Sequence, residues 1–125
     1  MAHPLVDQLR FTRLEWRRAL EGVSEEEALK RFPPINSLGW MAGHLAWHEH
    51  RYWIQVAQGR SLAPQLDELA ASGGPPGSPP LGEMLALWEQ VTREADPFLD
   101  TLTPAALAGH LVYNCLLYTS DAADE

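Results

Sequence analysis

Three stretches of the chain repeat apolar residues every three or four positions, the spacing that puts side chains on one face of an α-helix. In the first, Leu5, Leu9, Thr12, Trp16, Leu20 and Val23 form the stripe, and Arg10, Arg13, Arg17 and Arg18 fall elsewhere on the wheel. Gly22 is a natural stop. Ser24-Glu25-Glu26-Glu27 then has the form of a capping box, in which serine and glutamate satisfy each other's free backbone donors. It predicts a short helix to about Arg31, closed by Pro33-Pro34.

The second long helix is predicted from Ser37, as N-cap, to Ala57, with Gly59 just beyond. Leu38, Met41, Ala42, Leu45, Tyr52 and Val56 make its stripe. Gly39 and Gly43 lie inside it, where each costs roughly 1 kcal/mol against alanine. Such a pair predicts close approach of another backbone. Residues 60–80 lose the pattern. A turn or two of helix fits Leu62 to Ala71, and Ser72 to Pro80, rich in glycine and proline, predicts an exposed connection.

The third stripe is the most regular: Leu81, Met84, Leu85, Trp88, Val91, Ala95, Phe98, Leu99 and Leu102. Pro97 falls on its polar side. Thr103-Pro104 supplies an N-cap with proline at the first helical position, opening a short helix through Ala108. No alternating strand pattern is seen. The expected fold class is all-α: three long helices and short helical pieces of an incomplete four-helix bundle.

Composition narrows the function. The formal net charge of −8 disfavours nucleic acid as a partner. The arginines of the first helix are the only basic density, and they are expected on a solvated face. No apolar run reaches the roughly 18–20 residues that cross a bilayer, and no leader-like core opens the chain. A cytoplasmic protein without membrane contact is expected. The single cysteine, Cys115, excludes a disulfide framework.

The end of the chain has another origin on this reading. Cys-Leu-Leu-Tyr-Thr-Ser-Asp-Ala-Ala-Asp-Glu, residues 115–125, resembles one translated frame of a DNA-library sequencing adapter. The expected division is therefore a native helical fragment, residues 1–114, and a non-native tail, residues 115–125. A bundle missing its last helix leaves an apolar groove open, which invites self-association, so a homodimer is among the expected partners.

Candidate chemistry sits on the second long helix. His44 and His48 are one turn apart and project to the same side, a spacing that can chelate a divalent metal. Glu49 falls among the stripe residues. A carboxylate there needs a partner, a proton or a metal. Two roles fit it: holding a metal-bound histidine by its second ring proton, or pairing with a core-facing arginine such as Arg13. His50 points away, His3 lies at the N-terminus, and His110 has no assigned role.

Ser37-Leu38-Gly39-Trp40-Met41-Ala42-Gly43-His44-Leu45-Ala46 resembles the second-helix signature of the DinB-like family of four-helix-bundle metalloproteins. Pro4 to Arg10, Ala19 to Val23, Glu49 to Trp53 and Ala95 to Leu102 fit the same family. The resemblance implies three histidine ligands around one divalent metal, zinc or nickel. The first matches His44. The other two would lie on a fourth helix, beyond residue 114, and His48 matches no family ligand. Some relatives use low-molecular-weight thiols against electrophiles in detoxification and stress response. The resemblance thus implies a metal-dependent S-transferase with a small-molecule thiol cosubstrate, the 125-residue fragment itself being inactive. The alternative is a non-catalytic helical module that binds a metal or a partner.

Overall fold

The computed structural model describes residues 2–73, 77–108, 110–113 and 116–119. The packed body is all-α. Helix α1 is Pro4–Ala19, α2 Glu25–Leu29 and α3 Leu38–Glu49. Helix α3 runs on as a π-helical segment, His50–Val56. Helices α4 (Leu66–Leu69), α5 (Leu81–Leu99) and α6 (Pro104–Leu107) follow. Among the described residues no helix is long and apolar enough to cross a membrane.

The caps form where the sequence places them. The Ser24 hydroxyl accepts from the Glu27 N–H at 3.0 Å, and Glu27 Oε1 accepts from the Ser24 N–H at 3.1 Å. Ser37 accepts from Trp40 N–H and Thr103 from Ala106 N–H, both at 3.1 Å. Helix α5 begins after Pro80 and has no side-chain cap of its own. Glu25 of α2 supplies one from afar: its two carboxylate oxygens accept from Leu81 N–H at 2.9 Å and Gly82 N–H at 2.8 Å. An anion there also suits the positive end of the helix dipole.

Among the described helices, α3 and α5 share the most extensive contact. On α5 the buried residues are Leu81, Met84, Trp88, Val91, Thr92, Ala95 and Leu99, close to the predicted stripe, and Pro97 is exposed as expected. On α3 the predicted stripe is rotated. Its buried residues are Gly39, Ala42, Gly43, Ala46 and Trp47, and Leu45 is exposed. Small residues define this face because they let backbones approach; bulkier leucines at the edge misplace the wheel. A Cβ built on Gly39 would meet the Pro79 carbonyl oxygen at 2.1 Å, and one on Gly43 the Met84 sulfur at 2.6 Å. Pro79 is accordingly buried, so the end of the glycine- and proline-rich connection is docked rather than exposed.

Helix α1 departs most from expectation. Its inward face holds Val6, Leu9, Arg10, Arg13 and Trp16, and Leu5 is 55 % exposed. Arg10 and Arg13 turn inward, whereas Arg17 and Arg18 stay exposed as expected. Arg10 pairs with Asp96 and with Asp100 at 2.9 Å, Arg13 with Glu49 and Asp96, and Arg17 with Glu89. Guanidinium groups sit between helices when carboxylates meet them, and those carboxylates belong to α3 and α5, out of sight of a wheel drawn for α1 alone.

Two further differences concern regular structure. The helix expected to run unbroken to Ala57 changes to π winding at His50. Beyond α6, β1 (His110–Tyr113) pairs antiparallel with β2 (Leu116–Thr119), in a register that joins Tyr113 to Leu116 and His110 to Thr119. These runs are too short and too uniformly apolar to show alternation. Residues 114, 115 and 120–125 of the expected junction and foreign tail lie outside the described residues.

Candidate metal centre

His44 sits in the middle of α3, anchored upstream by the Ser37 cap and flanked by rings one turn away. Trp40 stacks on it at 4.5 Å between centroids and 14° between planes, and Trp47 lies nearly parallel to it at 5.8 Å. These contacts restrict its rotation. Its Nδ1 lies 2.9 Å from the Ala70 carbonyl oxygen. A carbonyl only accepts, so Nδ1 carries a proton, and the tautomer this contact selects is the one with its lone pair at Nε2. Backbone carbonyls hold metal-ligating histidines in the same way.

His48 Nε2 lies 3.1 Å from His44 Nε2. The His48 ring meets His44 edge-on at 4.5 Å and stacks on Tyr52 at 5.7 Å and 12°. The structure thus brings the two histidines together as their spacing predicts. Two imidazole nitrogens on one zinc, each at roughly 2.0–2.1 Å, stand about 2.9–3.4 Å apart for near-octahedral to tetrahedral angles. The separation of the pair lies within that range. In the free protein the same distance suits His48 Nε2–H donating to His44 Nε2. Among the described residues no three His, Cys, Asp or Glu side chains gather as a metal-binding group.

Glu49 does not serve a histidine. It takes a bidentate pair from Arg13, Nε to Oε1 at 3.1 Å and Nη2 to Oε2 at 2.5 Å, so the arginine-pairing role is the one realised. A cleft of about 190 Å³ opens between α1 and α3 beside this pair, lined by Leu9, Trp16, Leu45, His48, Trp53 and Trp88 among others.

His50 faces away from the pair, as expected, but it is structural rather than idle. It is 1 % exposed, and its Nε2 accepts from Leu62 N–H at 2.9 Å and Ala63 N–H at 3.1 Å. Three side chains of one helix thus hold residues 62–70: His50 at Leu62 and Ala63, Trp47 through Nε1–H to Asp67 at 2.8 Å, and His44 at Ala70. The two tryptophans around His44 are legible in the sequence at i−4 and i+3. The loop partners are not, because no local pattern says which carbonyl returns to the helix.

Burial pushes the His50 imidazole below its ordinary 6.5; Asp67 opposes this shift and Arg51 adds to it. The native ring is neutral where the unfolded ring takes a proton. Its contribution to stability is therefore complete above about pH 6.5 and is lost progressively as pH falls below that value. The urea midpoint should drop between pH 7 and 5.5, and His50→Gln, which keeps an acceptor but does not titrate, should flatten that slope. An equal slope in both proteins would exclude His50 as its source.

No curated protein and no solved structure matches the chain significantly. The DinB superfamily model matches residues 8–121, nearly the whole length and past residue 114. The chain belongs to the DinB superfamily.

Proposed function

We propose that this protein binds a divalent metal, zinc or nickel, with His44 as a ligand, and that with a complete ligand set it is a metal-dependent S-transferase of a low-molecular-weight thiol acting in the cytoplasm in detoxification or stress response. The observation that carries this reading is the His44 ring, fixed by two tryptophans and by Ala70 with its Nε2 lone pair presented. A bound metal would hold the cosubstrate as thiolate and lower its pKa. The apolar cleft beside His48 suits the uncharged part of an electrophile, since its one ion pair, Arg13 with Glu49, is internally satisfied.

Titration of the chain with zinc and with nickel should give weak, saturable uptake. His44→Ala should weaken it by at least about tenfold, the lower end of what loss of even an outer-shell partner costs. Uptake unchanged in His44→Ala would refute the ligand. Loss of free thiol in the presence of an electrophile, compared with and without chelator, then separates the enzyme from a non-catalytic metal-binding module.

A further inference from the structure

We infer that His48 is a second metal ligand, forming with His44 a chelate from a single helix, so that α3 contributes two nitrogens to the ion rather than one. The inference rests on the metal reading above. Three observations carry it. The two Nε2 atoms stand 3.1 Å apart, inside the separation two imidazoles take on one ion. The His44 tautomer is set from behind by Ala70, so His44 Nε2 is the nitrogen left for the ion. The His48 ring meets His44 edge-on at 4.5 Å and lies parallel to the Tyr52 ring one turn on at 5.7 Å.

Spacing supplies the reason. Residues four apart on an α-helix lie one above the other, and histidines so placed hold a metal on one helix face. The π winding begins at His50, after both histidines, so the α-helical register between them is intact. To act as the second ligand, a neutral His48 ring would carry its one proton on Nδ1 and leave the Nε2 lone pair for the ion, a change of tautomer rather than of charge.

The test uses the 125-residue chain, zinc as the ion, and ¹⁵N resonances of the imidazole rings. On zinc addition, Nε2 of both His44 and His48 should shift together and saturate at one ion per chain. His48→Phe retains a ring against Tyr52 but no donor; it should weaken zinc at least about tenfold, as for loss of any ligand support, with an unchanged far-UV spectrum. His48→Gln should weaken it similarly, which guards against a packing defect peculiar to phenylalanine. If His44→Ala loses zinc while both His48 variants keep wild-type affinity, or if only the His44 resonance moves, the chelate is refuted and the metal reading stands. If the wild-type chain takes up no zinc at all, both fall.

Discussion

Glu49→Ala should destabilise the protein by about 3 kcal/mol, toward the lower end of the range for removing one member of a buried ion pair. Glu49 and Arg13 are only 12 % and 10 % exposed at their side chains, and Glu49 meets two guanidinium nitrogens. Removing the carboxylate leaves Arg13 desolvated with Asp96 alone, at 2.9 Å. That remaining partner is why the loss falls near the bottom of the range. Glu49→Gln keeps one acceptor and should cost about half as much. Replacing both partners, Arg13→Met with Glu49→Leu, removes the stranded charge and should recover most of the loss, since apolar replacements of buried pairs are often neutral. Urea denaturation of the four proteins measures this directly. A double variant as unstable as Glu49→Ala would show that the pair itself, rather than the abandoned charge, sets the energy.

The second large effect is expected at Gly39. Helix propensity alone favours alanine there by roughly 1 kcal/mol. Against it stands the Pro79 carbonyl, whose oxygen would lie 2.1 Å and whose carbon 3.3 Å from the added Cβ. Backbone cannot rotate aside as a side chain does, so α3 or the connection must move. Overpacking of this kind costs typically about 1–3 kcal/mol and occasionally more, and Gly39→Ala should lose about 2 kcal/mol net. Gly43→Ala is the contrast. It meets the sulfur of Met84, which has other rotamers, and the Ala70 Cβ at 3.0 Å. It should come out within about 1 kcal/mol of wild type, because the propensity gain offsets the crowding. Thermal melts of both proteins decide it; a stabilised Gly39→Ala would mean that the contact with Pro79 is absent in solution.

How much was legible in the sequence follows from the range of each interaction. Caps at Ser24, Ser37 and Thr103, the α5 stripe and the His44–His48 pair are set by neighbours within four residues, and they formed as read. The fold class and the family were legible for the same reason. The face of α3 was misread because hydrophobicity marks leucine more strongly than the glycines and alanines that let α5 approach. Arg10 and Arg13 of α1 were misread because their partners lie 36 to 90 positions away. The loop that orients His44 is equally distant in kind: a backbone carbonyl carries no sequence signature. The paired strands after α6 offered no alternation to detect.

The carboxylate that Glu25 lends to the start of α5 separates two properties that a connecting segment normally ties together. The start of a helix is ordinarily set by the loop that feeds it. Here it is fixed by an anchor on α2, fifty-six residues earlier in the chain. The register of α5 is thereby independent of the segment that feeds it. A longer feed would add only the slow logarithmic cost of a larger closed loop, while α5 keeps its place against α3.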